Sequence, residues 1–344
     1  MRQTDRDEIF NRLSQKGLIN GKIPTDNKIT SPWYIKSVVA VSAWLGAIFL
    51  SIFVAGFFNL IFNINSKYTS IPLIVSGIVF IYIAYKSFQK KETSFLEHFM
   101  LAISMVGQVM ITVGLFMIFE DIGILIIVAI FQAFLMWYMP NYIHTTISSF
   151  FMIIAISYFF YDIGKPTLPS IFLIFIVSWL WINEFNFKDR QKIEAIAYGQ
   201  TTALFLLKYS YFGIDTHLNS LWFEIASILT LLYVIWSILK ESQIEYDKTI
   251  ILLITLGIAL LAFISFEVTG LIFGVLFLLI GFAHSNRFLL GLGVISSLSF
   301  LSYYYYYLGD TLMDKAKILA LMGIVILLGR WIMNILLKRR ESHE

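Results

Sequence analysis

The sequence contains no cysteine and little charge: Asp, Glu, Lys and Arg together make up 14% of its 344 residues. Soluble domains usually carry about 25% charged residues. A chain without cysteine forms no disulfide, no thiolate zinc site and no cysteine-ligated iron–sulfur cluster. The scarcity of charge excludes a soluble globular enzyme, a disordered chain and a nucleic-acid-binding domain, so nucleic acid is not expected as a partner.

The chain is instead rich in apolar residues, which make up 58% of it and include 32 phenylalanines. A helix that spans a bilayer needs about 20 mostly apolar residues. Because lipid offers no water to pair with the backbone, such runs must be helical. The sequence contains twelve such runs. Because some of the links between them are very short, a count of ten or eleven helices also fits the sequence. The runs lie at 38–62, 70–85, 99–118, 122–138, 143–160, 168–183, 195–212, 221–239, 249–266, 268–284, 288–307 and 317–337.

These runs predict an all-α integral membrane protein, a bundle of about twelve transmembrane helices over residues 37–337 with no soluble domain. Residues 1–36 are the only sizeable segment outside the bundle, and they lack the apolar stretch of a signal peptide. Thr4 with Asp7 fits a capping box and Gly17 fits a C-cap. This segment is predicted to form a short amphipathic helix that rests on the membrane or docks a cytoplasmic partner.

The basic residues predict the orientation of the bundle. If the N-terminus is cytoplasmic, 19 of the 25 Lys and Arg residues lie on inner segments, five lie on outer ones, and Arg330 lies within the twelfth helix. Positive residues concentrate on the cytoplasmic side of membrane proteins. Both termini are therefore predicted to be cytoplasmic, including the basic tail 338–344. The outer ends hold eight acidic residues, which are either simply tolerated there or form a vestibule for cations.

Three glycines recur at a spacing of 92 residues: Gly107, Gly199 and Gly291. The first two are each followed by glutamine, and another polar residue stands 24 positions beyond each glutamine, Gln132 and Glu224 respectively. With twelve helices, this period predicts three parallel units of four helices, a kind of repeat that transporters use. A chance match among frequent glycines is the alternative.

Polar side chains within the apolar runs are the candidate functional residues, because they are costly in hydrocarbon. Each has a structural alternative, since amides also join membrane helices by hydrogen bonds and long side chains reach the interface. Near the helix ends, His144, Lys208 and His284 are expected to reach the interface. The candidates are Gln108, Gln132, Gln200, Glu224 and Arg330.

Among the acidic residues, Glu224 is the leading candidate to carry chemistry, because its sequence neighbours are apolar on both sides. A desolvated carboxyl group there would suit a proton carrier. A hydrated side chain one turn from the outer surface is the second interpretation. An ion pair with Lys208 is the third, since both residues lie near outer helix ends.

Motifs of common enzyme chemistry are missing from the sequence. The five histidines include no HExxH and no pair at i,i+4. The chain has no phosphate-binding loop with Lys-Ser/Thr and no GxSxG elbow. No metal and no cofactor are therefore expected, and an enzyme is disfavoured without being excluded.

Two stretches resemble the bacterial domain of unknown function 4401 family of multi-pass membrane proteins, and the resemblance covers nearly the whole chain. The first runs from Gly17-Leu18-Ile19 through Pro24 to Ser31-Pro32-Trp33-Tyr34, followed by Trp44-Leu45. The second contains Arg287 through Gly293 followed by Phe300-Leu301, the tyrosine run Tyr303 to Tyr307, Thr311-Leu312, Lys315, Gly323 and Arg330. Lys315-Ala316 stands where the family resemblance leads us to expect Lys-Ser.

The family has no established activity, so the resemblance assigns no catalytic residue. It marks Trp33, Arg287 and Lys315 as motif positions of unknown role. It also implies a two-protein system in the inner membrane of Gram-negative bacteria, in which the partner is a membrane protein with a GDYxxLxY motif.

Three hypotheses follow. If the protein is a scaffold or partner subunit of an envelope complex, its polar residues should pair locally. If it is a transporter or channel, one polar path should be lined by Gln108, Gln132, Gln200 and Glu224. An envelope lipid or glycan enzyme, ranked below the other two, needs two or more carboxylates in one outer pocket.

Overall fold

The structure is a computed structural model that describes residues 32–62, 69–90, 94–119, 121–210, 217–241, 248–267 and 270–307, with isolated positions between 312 and 327. These residues form eleven α-helices and one short 3-10 helix, Glu184–Asn186, and the described ranges contain no strand. The helices are α1 (Trp33–Phe62), α2 (Ser70–Phe88), α3 (Ser94–Ile118), α4 (Ile124–Tyr138), α5 (Tyr142–Asp162), α6 (Leu168–Ile182), α7 (Arg190–Ser210), α8 (His217–Glu241), α9 (Lys248–Glu267), α10 (Leu271–Ala283) and α11 (Arg287–Tyr307).

The first eleven predicted segments correspond in order to α1–α11, which confirms the all-α class. The twelfth, 317–337, lies almost entirely outside the described residues, as do the predicted amphipathic helix before Pro32 and the basic tail. Among the described residues, five helices contain a stretch long and apolar enough to cross a membrane: Ser37–Val54, Ser70–Phe88, Phe95–Ile118, Tyr142–Asp162 and Leu221–Lys240.

Helix length explains why three of the apolar runs are not among these five spans. Helices α4 and α6 have 15 residues each and α10 has 13. At 1.5 Å per residue they are about 20–23 Å long, which is shorter than the roughly 30 Å hydrocarbon core. The structure therefore supports a helical membrane protein without establishing twelve spans.

Local sequence sets several helix starts. Asn141 follows Pro140 and caps α5, where its side chain accepts a hydrogen bond from the His144 backbone N–H at 3.0 Å. Asn286 does the same for α11 and accepts from the backbone N–H of Phe288 at 3.0 Å. Gly270 precedes α10 with a φ of 91°, a left-handed conformation that favours glycine. These caps separate helices that the apolar pattern alone leaves nearly continuous.

The main core lies among α5, α6, α7, α8, α10 and α11, and its largest fully buried side chains are aromatic. They are Trp181, Phe223, Phe273, Phe277 and Phe300. The rings of Phe273 and Phe300 meet edge to face at a centroid distance of 6.1 Å. This core ties the second half of the described chain to α5 and α6.

Helices α1, α2 and α3 form a second packing group. Gly77 of α2 and Gly107 of α3 cross closely, so that a Cβ added at Gly107 would lie 2.7 Å from the Gly77 carbonyl oxygen. Helix α1 packs on α3 around Ala47 and Ala102. Small residues thus permit close helix approach, as is usual inside membranes.

The predicted repeat is not supported by these contacts. Gly107 packs against α2, the preceding helix, whereas Gly199 packs against Thr146 and Ser149 of α5, two helices back. A Cβ at Gly291 would meet no atom within 4 Å. Because the three glycines make different contacts, the 92-residue spacing does not mark equivalent structural positions.

Side-chain contacts place several connections at one end of the bundle. The Asn141 amide, after α4, donates to Glu97 at the start of α3. The ammonium of Lys192, at the start of α7, donates to the Trp137 carbonyl near the end of α4. The Phe185 ring, after α6, stacks on His284, after α10. We call this the basic end, because its connections and flanking turns carry Lys86, Lys188, Arg190, Lys192 and Arg287.

Candidate functional site

Buried polar side chains of α3, α4 and α5 meet in one group, which we call the amide–histidine cluster. It consists of Ser104, Gln108, Gln132, His144 and Ser148, and all five residues are buried. The Gln132 amide donates to Gln108 Oε1 at 3.1 Å. Gln108 Nε2 lies 2.9 Å from His144 Nε2, and Ser104 Oγ lies 2.8 Å from the same nitrogen. The cluster thus joins three helices through side-chain hydrogen bonds.

The orientation of the Gln108 amide in this structure sets the histidine tautomer. An amide nitrogen can only donate, so His144 Nε2 accepts the hydrogen bond from Gln108 and the ring proton resides on Nδ1. Ser148 Oγ lies 3.3 Å from Nδ1 and accepts that proton's hydrogen bond. His144 is therefore a neutral hub between α3 and α5.

The cluster borders a cavity of about 810 Å³ between α1, α3, α4, α5 and α7. Its wall is mostly aliphatic and aromatic, and Gln108 and Gln132 are its two amides. Val109 and Phe151, which also line it, are exposed at 61% and 45%, so the cavity opens on the outside of the bundle. An apolar crevice of this kind suits lipid chains better than a hydrated solute.

Gln200 does not line this cavity, although its neighbours Gly199 and Thr202 do. It is buried on α7, and its Oε1 has no hydrogen-bond partner. Gln132 Oε1 is likewise buried without a partner. Two of the four residues predicted for a polar path therefore come together, and Gln200 lies apart from them.

A second group, which we call the Lys208–Glu224 node, joins the ends of α7, α8, α9 and α10 away from the basic end. Lys208 Nζ lies 3.6 Å from Glu224 Oε1, and both side chains are buried. The carboxylate also accepts hydrogen bonds of 2.6 Å from Ser265 Oγ and from the Gly270 backbone N–H. The Lys208 ammonium lies 4.4 Å from the centre of the Phe223 ring.

The carboxylate of the node also serves α10. Gly270 is the N-cap of that helix, and the first N–H groups of a helix carry a partial positive charge that a carboxylate stabilises. Glu224 is thus held by one ammonium, one hydroxyl and one helix terminus. Of the three interpretations of Glu224, the ion pair with Lys208 matches this geometry.

Two expectations about helix ends were wrong. His144 is completely buried and Lys208 is 6% exposed, so neither side chain extends out of the bundle at its helix end. The apolar pattern placed them near helix ends and gave no information on neighbouring helices. One signal was available for His144: it lies one helical turn from Ser148, so both can face the same helix.

A family model for a domain of unknown function, DUF4401, matches residues 32–336. The chain belongs to this family. A search of curated proteins and a search of solved structures find no match. Because the DUF4401 description states no activity, it adds no functional residue to those that the geometry brings together.

Of the three motif positions of the DUF4401 resemblance, the structure describes the side chain of Arg287. Arg287 is exposed at the start of α11, and Trp33 begins α1. Lys315 lies outside the described residues, as does the candidate Arg330. Within the described part of the chain, no group of three or more His, Cys, Asp or Glu side chains is arranged to hold a metal ion.

Proposed function

We propose that this DUF4401 protein is a non-transporting subunit that scaffolds a partner membrane protein in the bacterial inner membrane. The observation that carries the proposal is the local pairing of its buried polar residues. Gln108 binds both Gln132 and His144, while Glu224 binds Lys208, Ser265 and Gly270. Polar groups engaged in this way are occupied by helix–helix contacts.

The energetics of these contacts support a structural role. Interhelical hydrogen bonds in membranes contribute roughly 0.6–2 kcal/mol each. A carboxylate that binds a substrate ion or carries protons needs a coordination position open to that ion. Glu224 already receives three partners and is 1% exposed. This arrangement stabilises the bundle and leaves the Glu224 carboxylate little capacity to exchange ions or protons.

The proposal places the basic end in the cytoplasm and takes the apolar runs as about twelve spans, with both termini cytoplasmic. Nineteen of the 25 basic residues lie on the predicted inner segments, and the contacts Asn141–Glu97, Lys192–Trp137 and Phe185–His284 bring inner connections together. The positive-inside rule then favours this orientation.

Helix α1 offers the surface on which a partner helix would pack. In its segment Ser37–Val54 only 12% of the residues are buried. Ala43 and Ala47 face the bundle, whereas Phe49 and Phe53 are 70% and 71% exposed. A peripheral apolar helix of this kind can accept a second transmembrane protein without any loss of internal packing.

The partner proposed is the membrane protein of the GDYxxLxY type that the family resemblance implied. Co-expression and purification in mild detergent should yield a complex of fixed stoichiometry. A photo-cross-linking amino acid at Phe53 should form an adduct with the partner. The same probe at Phe172 of α6, which is 61% exposed, is the matched control and should form none. Separate elution of the two proteins and no adduct at Phe53 would contradict the scaffold proposal.

A transporter remains the second candidate, and one observation favours it: the 810 Å³ cavity borders Gln132, whose Oε1 has no hydrogen-bond partner. Reconstitution into liposomes with a pH-sensitive dye inside tests proton-coupled flux. The scaffold proposal predicts no flux above that of empty liposomes. Flux that Glu224→Gln abolishes, without loss of membrane insertion, would favour the transporter. The enzyme hypothesis has no support of this kind, because the buried Glu224 is held by Lys208.

A further inference from the structure

Two neighbouring cavities share one residue at the basic end. The first is an apolar groove of about 320 Å³ between α2, α3 and α4, lined by side chains such as Ile78, Tyr82 and Phe134. The second has a volume of about 600 Å³ and is lined by polar and charged side chains at the start of α7. Met139 lines both cavities. The apolar groove and the polar cavity are thus neighbours on either side of the buried Met139, at the predicted membrane interface.

The polar cavity carries an excess of positive charge. Lys188, Arg190 and Lys192 line it, against one acidic side chain, Asp189. Arg190 is bound to Glu184, with its Nη2 2.6 Å from Glu184 Oε1, so Lys188 and Lys192 against Asp189 leave one net positive charge among the lining side chains. Glu194 lies beside the same cavity, where it forms a hydrogen bond with Tyr142. Helix α7 begins at Arg190, and the positive end of its dipole adds to the field in the cavity.

Aromatic side chains mark the same level of the bundle. Trp137 and Tyr138, at the end of α4, are 58% and 61% exposed, and the Lys192 ammonium lies 5.0 Å from the centre of the Trp137 ring. The Lys86 ammonium lies 5.8 Å from the centre of the Tyr82 ring, beside the apolar groove. Exposed Trp and Tyr residues are typical of the boundary between lipid and water.

We infer that the two cavities together bind one anionic phospholipid. One of its two acyl chains lies in the groove beside Ile78 and Phe134, and its phosphate lies in the cavity between Lys188 and Lys192. Basic pockets between transmembrane helices on the cytoplasmic side bind anionic headgroups in this way. The inference rests on the membrane placement in the proposed function and is independent of whether α1 binds a partner.

The test uses the full-length protein reconstituted in vesicles that contain brominated phosphatidylglycerol or brominated phosphatidylcholine. Bromine quenches nearby tryptophan, and the contribution of Trp137 is the difference between the wild-type protein and Trp137→Phe. We expect phosphatidylglycerol to bind about tenfold more tightly than phosphatidylcholine at this site. Equal binding of the two lipids by the wild-type protein would overturn the inference.

Variants of the cavity lysines locate the site. Lys188→Gln combined with Lys192→Gln should reduce the preference for phosphatidylglycerol to about twofold or less. Lys240→Gln is the matched control, because Lys240 also lies over an exposed tryptophan, Trp236, at 5.2 Å from the ring centre. It should keep the full preference. A double variant that retains the preference for phosphatidylglycerol would overturn the assignment of the phosphate site to these lysines. If the double variant does not fold, the single variant Lys188→Gln repeats the test.

Two further measurements distinguish a lipid site from a site for free anions, and the lipid site from the proposed scaffold function. Millimolar inorganic phosphate should leave the lipid preference unchanged, whereas complete competition would show a site for free anions. Cross-linking at Phe53 reports on the partner alone. Loss of lipid preference with a retained Phe53 adduct would reject the lipid site while the scaffold proposal stands, and the reverse result would reject the scaffold only.

Discussion

The Nζ atom of Lys208 lies 3.6 Å from Oε1 of Glu224, and the two side chains are 7% and 1% exposed. This ion pair joins α7 to α8 inside the bundle. Its carboxylate also binds Ser265 near the end of α9 and Gly270 at the start of α10. Four helices therefore depend on one carboxylate, which makes Glu224 a structural residue in the proposed scaffold.

The first prediction concerns the cost of removing one partner of this pair. Glu224→Ala leaves the Lys208 ammonium buried without its counter-charge, so we expect a loss of about 3–5 kcal/mol in the free energy of unfolding. Lys208→Met combined with Glu224→Leu removes both charges and should be less destabilising than Glu224→Ala. Thermal unfolding of the purified proteins in detergent measures the relative stability of the two variants and the wild type. A Glu224→Ala protein as stable as the wild type would contradict a structural role.

The second prediction concerns the amide–histidine cluster. His144→Leu leaves Ser104 and Gln108 buried without their shared acceptor, and we expect a loss of about 1–3 kcal/mol. Thr202→Ala is the control, because the Thr202 hydroxyl bonds only within its own helix to the Tyr198 carbonyl at 2.8 Å. Thermal unfolding should show a clear decrease for His144→Leu and little change for Thr202→Ala. Similar midpoints for both variants would show that the cluster contributes little.

The third prediction uses the three glycines spaced by 92 residues. A Cβ at Gly107 or Gly199 meets backbone of a neighbouring helix, so an alanine there should destabilise the fold by about 1–3 kcal/mol. Gly291→Ala meets no atom within 4 Å and should be neutral or slightly stabilising, since alanine favours a helix by up to about 1 kcal/mol over glycine. Equal effects at all three positions would restore the case for a structural repeat.

The fourth prediction concerns topology. Reporter fusions after Lys90 and Lys192 should give cytoplasmic signals, and a fusion after Asp162 should give a periplasmic signal, because basic segments stay on the inner side. A fluorescent protein that folds in the cytoplasm and a phosphatase active only in the periplasm give complementary readings. A periplasmic signal at Lys90 would reverse the orientation and place the proposed lipid site on the outer side.

The sequence predicted helix positions well and side-chain partners poorly. The apolar runs predicted α1–α11 because, in lipid, an apolar segment must pair its own backbone N–H and C=O groups by forming a helix. Whether a segment is apolar can be read from its local composition. The expectation for His144 failed because burial depends on which helix lies opposite. Ser104, which binds His144, is 40 residues away along the chain, and no local pattern reports such a distance.

The amino-acid sequence by itself determined that the protein is a helical membrane protein, and it predicted one strongly basic side, because hydrophobic length and charge distribution are properties of single segments. Only the tertiary structure decided that Gln108 and Gln132 bind each other, that Gln200 lies apart, and that Glu224 pairs with Lys208. Polar groups in an apolar interior must find partners, and the packing of the helices selects which partners lie within reach.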